Sequence, residues 1–261
     1  MPAAYAHYRF GAAMLNTMPG DIGRSVKRYR RLFDVGLHGP DLFFFYNPLL
    51  STKVGKLGGK FHGQTGQEFF TRVCRSLRLE PSEAGQAYLY GVLCHYCLDS
   101  ICHPFVEEMS RDGQPSHTQI ESDFDRFLLE MDGKVPACEQ DISRHMQLKN
   151  EECEVVARFY PGSTPRQIQS ALKNMALVKK TLSSKEGKSR ELMTKTIGMV
   201  SKDYAAFVMK AGPDPACEHV VAPLYGLYQQ AESAYPELLL QLGAHLTYNA
   251  PLGEDFAPTF G

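Results

Sequence analysis

A stripe of metal-ligating side chains follows one face of a strongly apolar stretch of the chain. His95, Asp99 and His103 are each four residues apart, and in an α-helix a four-residue step advances about 6 Å and turns only about 40° beyond a full turn. Burying the carboxylate of Asp99 without a partner would be unfavourable. A nitrogen, oxygen and nitrogen ligand set suits zinc, so the stripe predicts a metal site.

The same stripe has an interpretation without metal. A buried Asp99 can accept hydrogen bonds from neighbouring imidazoles and orient both histidine rings. On this helix alone, the metal site and the buried hydrogen-bonded network both remain open.

Further residues of ligand type lie outside this helix, and any one of them alone is more often structural than catalytic. His117 and Glu121 repeat the four-residue spacing at the start of a predicted helix. Asp41 and His62 lie in glycine-rich segments, where the chain can bring side chains close to a site. His7 is flanked by aromatic residues, which indicates a partly buried position.

The elements that must position these residues are predicted to be helices along nearly the whole chain. We therefore expect an all-α, single-domain multi-helix bundle over residues 1–261, with a central buried helix that carries the stripe. Residues 36–50 and 53–63 are expected to be loops, and the aromatic run at residues 43–46 is expected to pack in the core. The predicted helices are residues 21–35, 64–79, 82–109, 117–130, 165–183, 187–210 and 220–247.

Composition excludes some classes of protein. The chain has 261 residues, 43% of them hydrophobic, and a formal net charge of -1, so no overall basic field attracts nucleic acid or anionic lipid, although a local patch can hide within a neutral total. We see no secretory signal and no membrane span, so we expect a cytoplasmic protein with reduced cysteines. Cys94, Cys97 and Cys102 lack a second Cys-x2-Cys pair, and we interpret them as buried hydrophobic residues.

Taken in order, the ligand-type residues resemble the zinc-dependent phospholipase C family. In that family an N-terminal His, an Asp, a His, a His-x3-Asp pair on a buried helix, another His and a His-x3-Glu pair hold a zinc cluster. The segment GPDLFFF also looks like the family's segment around its first aspartate. The resemblance implies the helical fold that these phospholipases share with single-strand nucleases. The matching positions are His7, Asp41, His62, His95, Asp99, His103, His117 and Glu121.

The resemblance also implies how the ligands are shared between zinc ions. Asp99 would contact both the first ion and a third ion that His7 also binds. We expect two zinc ions and leave the third open, because secreted members hold it partly through an N-terminal tryptophan and this chain contains no tryptophan. The first ion would be held by Asp41, His62, His95 and Asp99, and the second by His103, His117 and Glu121.

The implied activity is zinc-dependent hydrolysis of a phospholipid or related phosphodiester by a metal-bridged hydroxide, with Asp41 as general base. One alternative is a single-strand nuclease or nucleotidase-like phosphoesterase on the same fold, but the sequence has no basic groove signature and we expect no nucleic-acid partner. Another alternative is a non-catalytic metal-binding protein. The sequence leaves the natural substrate and the oligomeric state open.

Overall fold

The architecture is helical throughout the described part of the chain. The computed structural model describes residues 4–48, 50–182 and 208–261, and these contain no strand, only an isolated bridge between Thr65 and Thr259. The predicted all-α class is therefore confirmed. The α-helices are α1 (Ala4–Leu15), α2 (Gly20–Arg28), α3 (Arg30–Gly36), α4 (Lys56–His62), α5 (Gly66–Leu79), α6 (Glu83–Met109), α7 (His117–Met131), α8 (Asn150–Phe159), α9 (Pro165–Leu182) and α10 (Glu218–Tyr248). Short 3-10 helices span Gly39–Phe45, Ala137–Glu139, Pro215–Cys217 and Glu254–Phe256.

The central buried helix predicted at residues 82–109 is α6, and the prediction is confirmed. It begins after Ser82, whose hydroxyl accepts a hydrogen bond from the Gly85 amide at 3.0 Å. Its apolar residues from Ala87 to Leu98 are almost all inaccessible to solvent. The helices α3 and α10 pack along it, so the stripe of ligand-type residues lies inside the molecule.

Two glycines allow α3 and α6 to touch through their backbones. A Cβ atom on Gly91 would lie 2.3 Å from the carbonyl oxygen of Phe33, and one on Gly36 would lie 2.6 Å from that of Tyr88. Both distances are too short for any larger residue without a shift of the helices. Because α3 leads directly into the 3-10 helix Gly39–Phe45, this close crossing fixes the segment that carries Asp41.

Several predicted boundaries were wrong. The helix expected at residues 21–35 is divided into α2 and α3 at Tyr29, where the backbone leaves the helical region (φ -109°, ψ 37°). The segment 36–50 contains a 3-10 helix rather than only a loop, and α4 occupies the second expected loop. There Gly58 has a packing role, since a Cβ atom on it would lie 2.8 Å from the ring of Phe44.

Other elements were not predicted, or fall partly outside the described residues. The helices α1 and α8 were missed, while the helices predicted at 64–79, 117–130, 165–183 and 220–247 are present with small shifts at their ends. Of the predicted helix 187–210, residues 187–207 lie outside the described residues, and residues 208–210 are not helical.

The cysteines lie in the core as thiols. All seven cysteines are buried and free of disulfide bonds. Burial raises the pKa of Cys94 to about 12 and that of Cys97 well above its usual range, so these residues are packed thiols, as predicted. Within the described ranges, no helix combines the length and the apolar character needed to cross a bilayer.

Candidate metal centre

The predicted ligand residues lie on five elements, namely α6 and four others that meet beside it. All of them are buried except His117, whose side chain is 31% exposed. They are His7 on α1, Asp41 on the 3-10 helix Gly39–Phe45, His62 at the end of α4, His95, Asp99 and His103 on α6, and His117 and Glu121 on α7.

A first cluster comprises His7, Asp41, His95 and Asp99, each of which offers one ligand atom within 4.8 Å of the others. His7 Nε2 lies 3.0 Å from Asp99 Oδ1, and His95 Nε2 lies 3.2 Å from Asp99 Oδ2. On the opposite side, His95 Nδ1 lies 3.9 Å from Asp41 Oδ2. Three elements thus contribute to one small group of nitrogen and oxygen atoms.

His62 approaches this first cluster through Asp41. Its Nε2 lies 3.0 Å from Asp41 Oδ1, and its ring stands edge-on to that of His95 at 5.9 Å between centroids. His7 lies within the first cluster, with its ring 4.6 Å from that of His95. The geometry therefore brings His7, which the resemblance connected with a third ion, next to the residues expected to hold the first.

A second cluster comprises His103, His117 and Glu121. Glu121 Oε1 lies 3.1 Å from His117 Nε2 and 3.6 Å from His103 Nε2. Asp99 Oδ2, which approaches His95 in the first cluster, also lies 3.6 Å from His103 Nδ1. Asp99 consequently stands between the two clusters.

The chemistry of these atoms fits a metal better than a closed hydrogen-bond network. Buried polar atoms in proteins are nearly always hydrogen-bonded, yet several ligand atoms here have no hydrogen-bond partner within the described residues. Asp99 Oδ2 is one of them, although His95 Nε2 lies 3.2 Å away. A bound cation would satisfy such converging lone pairs, and the mixed nitrogen and oxygen set suits zinc. The unpartnered atoms are His7 Nδ1, Asp41 Oδ1 and Oδ2, His62 Nε2, His95 Nδ1 and Nε2, and Asp99 Oδ2.

Comparison with known proteins identifies the family. A family model described as zinc dependent phospholipase C matches residues 6–182, which is more than half of the chain. The chain belongs to the zinc-dependent phospholipase C family. The matched region includes every predicted ligand, and the resemblance that these residues carried is confirmed. No curated protein and no solved structure matches the chain. The family relationship does not test the individual ligand roles, which stay predictions.

Two histidines of this phospholipase C family member are held by backbone carbonyl groups. His62 Nδ1 lies 2.8 Å from the carbonyl oxygen of Gly58, and His103 Nδ1 lies 3.2 Å from that of Phe260. A carbonyl oxygen can only accept, so each Nδ1 donates to it, and a metal ion at Nε2 would replace any proton on that atom. Metal-ligating histidines are commonly oriented in this way.

Electrostatics keep the acidic ligands ionised. Burial alone would raise the pKa of Asp41, but His95 and His62 hold it well below its usual range. Burial lowers the pKa of His95 to about 4. Burial has the same tendency at His103, but Asp99 and Glu121 overcome it and raise its pKa to about 9. Charged carboxylates and a neutral His95 are the forms that bind a metal.

Asp125, which the sequence analysis did not select, caps the helix that carries His7. Its Oδ1 accepts a hydrogen bond from the Ala6 amide at 2.8 Å and its Oδ2 accepts one from the Tyr5 amide at 3.1 Å. Burial raises the pKa of Asp125 to about 6, although Lys179 and these two amides oppose the shift. The one available signal was that Asp125 follows Glu121 by four residues, which places both on one face of α7.

A second missed feature is a pair of histidines that supports the 3-10 helix. His38 is fully buried, and its Nε2 lies 2.7 Å from Nε2 of His145. The ring of Tyr8 stacks on the outer side of His145, and the carbonyl oxygen of His38 accepts from the Asp41 amide at 2.9 Å. Burial lowers the pKa of both histidines, that of His145 to about 4. The pair therefore fixes the backbone from which Asp41 projects.

Proposed function

We propose that this protein is a zinc-dependent phosphodiester hydrolase that cleaves a phospholipid, or a related phosphodiester, in the manner of phospholipase C. The observation that carries the proposal is the pair of ligand clusters joined at Asp99. Several buried nitrogen and oxygen atoms of the first cluster, among them His95 Nε2 and Asp99 Oδ2, have no hydrogen-bond partner within the described residues. Membership of the zinc-dependent phospholipase C family connects such a centre with phosphodiester hydrolysis.

We assign the ligands by cluster. The first ion is held by Asp41, His62, His95 and Asp99, and the second by His103, His117 and Glu121. The close approach of His7 to Asp99 supports His7 as a further ligand at the first cluster. A separate third ion at His7 stays a prediction.

When bound, zinc would act as a Lewis acid. It would lower the pKa of a water molecule and neutralise negative charge on a phosphodiester. Asp41 is proposed to accept the proton of the attacking water. The water oxygen forms a bond to phosphorus, and the bond from phosphorus to the alcohol oxygen breaks. The alcohol leaves with the proton that Asp41 accepted, and the second product is a phosphomonoester. The low pKa of Asp41 keeps its carboxylate ionised, which is the form that both roles require.

His117 is the most exposed of the assigned ligands, with 31% of its side chain accessible to solvent. The other assigned ligands are buried, so among these residues the second cluster is the one nearest solvent. Burial of the remaining ligands excludes bulk water and strengthens their electrostatic interactions.

The direct test combines metal analysis with activity. Protein purified without added metal is expected to contain at least two equivalents of zinc, and His95→Ala is expected to lose both zinc and turnover of a chromogenic phosphodiester. Asp41→Asn is expected to abolish turnover. His219→Ala, which removes an exposed histidine from the start of α10, is the matched control and is expected to retain zinc and activity.

Each other outcome has a specific meaning. Protein without transition metal, and without uptake on titration, would contradict the central claim. Bound zinc without turnover on phosphatidylcholine, soluble phosphodiesters or single-stranded nucleic acid would support the non-catalytic alternative. Cleavage of single-stranded nucleic acid alone would support the nuclease alternative.

We also propose that residues 1–261 act as one domain. The family match ends at residue 182, yet α10 packs against α5, α6 and α7, and Phe260 contacts the second cluster through His103. The expected cytoplasmic location stays a prediction.

A further inference from the structure

A surface groove of about 430 Å³ lies near His62 and is lined by residues of the segments 44–48 and 50–60. The half-buried ring of Phe44 lines the groove and also lies 5.3 Å from the ring of His62. The same ring packs over Gly58. One aromatic side chain thus separates the groove from a residue of the proposed metal centre.

The segment around this groove is basic, although the whole chain is almost neutral. Residues 42–67 include Lys53, Lys56 and Lys60 and contain no aspartate or glutamate. All three lysines are exposed, and none forms an ion pair with a described residue. Lys56 and Lys60 are one turn apart on α4 and line the groove. The net charge of -1 for the whole chain therefore conceals a local positive patch.

Apolar and amphipathic side chains lie among these lysines. Leu50 is 67% exposed, and Tyr46 is partly exposed on the same groove. An exposed leucine alone needs no explanation. An exposed leucine and a tyrosine beside unpaired lysines, however, match the composition of surfaces that lie in a membrane interface, where lysines meet anionic headgroups and apolar groups enter the acyl boundary.

We propose that Tyr46, Leu50, Lys53, Lys56 and Lys60, here named the docking patch, bind the surface of an anionic phospholipid membrane. Complementary charge and the exposed leucine select this occupant. The patch lies next to His62, so docking would hold the metal centre close to a lipid bilayer. The benefit to catalysis rests on the proposed function, whereas membrane binding itself does not.

Vesicle sedimentation with the full chain tests the docking patch. The zinc-loaded protein is expected to sediment with vesicles of phosphatidylcholine mixed with phosphatidylserine, weakly with phosphatidylcholine alone, and less at high salt because salt screens exposed charges. Each lysine near an anionic surface contributes about fivefold to binding. The double variant Lys56→Gln/Lys60→Gln is therefore expected to bind about 25-fold more weakly, and Leu50→Asn is expected to bind more weakly at every salt concentration.

The matched control is Arg24→Gln/Lys27→Gln, which removes the same charge from exposed positions on α2. It is expected to bind like the wild type. Equal loss in the two double variants, or no binding of the wild type to phosphatidylserine vesicles at low salt, would overturn the proposal. Retention on polyglutamate beads without vesicle binding would also overturn it, in favour of an acidic protein partner.

Activity measurements separate this proposal from the proposed function. The lysine double variant is expected to keep the wild-type turnover of a soluble phosphodiester and to lose most of its turnover on phosphatidylserine-containing vesicles. If the wild type hydrolyses nothing but binds vesicles through the docking patch, the proposed function fails and the docking surface stands. If the wild type hydrolyses a phosphodiester but does not bind vesicles, the proposed function stands and the docking surface fails.

Discussion

Asp99 is the side chain at which the two ligand clusters meet. Its Oδ1 faces His7, and its Oδ2 faces both His95 and His103. Asp99 belongs to the first cluster, and its carboxylate also approaches His103 of the second cluster. Its loss should therefore affect both clusters, whereas loss of a peripheral ligand should affect one.

We predict that Asp99→Asn lowers the zinc content of both clusters, because the amide retains the size of the carboxylate but removes its charge. His117→Ala should remove zinc from the second cluster only. Elemental analysis after dialysis measures both variants. Wild-type zinc content in Asp99→Asn would contradict the shared position assigned to this residue.

Gly39 is a second residue on which the centre depends. Its φ is +46°, a conformation that favours glycine, and a Cβ atom would lie 2.4 Å from Cδ2 of His95. We predict that Gly39→Ala lowers the free energy of unfolding by about 1–3 kcal/mol and reduces zinc binding, as measured by thermal unfolding and zinc titration. Gly59→Ala is the control, since nothing lies within 4 Å of its Cβ position. Equal effects of the two substitutions would contradict the packing argument.

For single residues, the types of the ligands could be predicted from the sequence, but the contacts that support those ligands could not. A histidine or carboxylate is visible in the sequence, and the four-residue spacing on α6 and α7 places side chains on one face without knowledge of the fold. Asp125 and its partner Tyr5 are 120 residues apart, and the contact between His38 and His145 spans 107 residues. No local pattern encodes which distant side chains will meet, so these contacts required the structure.

The helix α1 depends on another helix for its N-terminal cap. Asp125 on α7 satisfies two amides of its first turn, and His7 projects from the residues that follow. The positioning of this ligand is therefore controlled from α7, which also carries two residues of the second cluster.

We predict that Asp125→Ala destabilises the protein by about 0.5–2 kcal/mol, the usual effect of losing a helix cap, and weakens zinc binding at the first cluster. Asp125→Asn retains one accepting oxygen and should restore much of both properties. Chemical denaturation and zinc titration provide the two measurements. A change in stability without any change in zinc affinity would show that the cap does not position His7.

The crossing of α3 and α6 is a second contact between elements that controls the site. We predict that Gly91→Ala separates these helices, displaces the 3-10 helix of Asp41 and destabilises the protein by about 1–3 kcal/mol. Gly226→Ala on α10 has open space around its Cβ position and should be neutral or slightly stabilising, because alanine favours a helix. Calorimetric melting of both variants checks the difference. A stable Gly91→Ala variant would contradict the close crossing.

Helices with a long apolar pattern were predictable, whereas short or glycine-rich helices were not. The periodic pattern of residues 82–109 identified α6 almost to the residue. By contrast, Gly55, Gly58, Gly59 and Gly63 made α4 resemble a loop. The physical reason is that close packing, as at Gly58 against Phe44, requires glycine without any loop being present. In α4, the local propensity of the glycines indicates a loop, whereas tertiary packing favours a helix, and the packing determines the structure.

At the scale of the whole molecule, the proposed ions join distant parts of the chain. Ligands from α1, the 3-10 helix, α4, α6 and α7 converge on one centre. Removing the ions would leave Asp41, Asp99 and Glu121 ionised among buried groups, and their mutual repulsion would oppose folding.

We predict that chelation of zinc lowers the melting temperature and that added zinc restores it. A ligand at 1,000 times its dissociation constant stabilises the folded state by about 4 kcal/mol, so the shift should be several degrees. Differential scanning calorimetry with and without chelator measures it. The His95→Ala variant, which keeps the ligands of the second cluster, should show a smaller response to the chelator than the wild type. An unchanged wild-type melting temperature would contradict a role for zinc in stability.

The contact between His103 and Phe260 also determines when the centre can be completed during synthesis. Ribosomes add roughly 5–20 residues per second, so the carbonyl that orients His103 is made roughly 10–50 s after His7 emerges. Throughout that interval the nascent chain carries histidines and carboxylates that still lack their final partners. Correct loading with zinc is therefore expected only after Phe260 has left the ribosome, and slow or interrupted translation should increase the fraction of protein that carries the wrong metal.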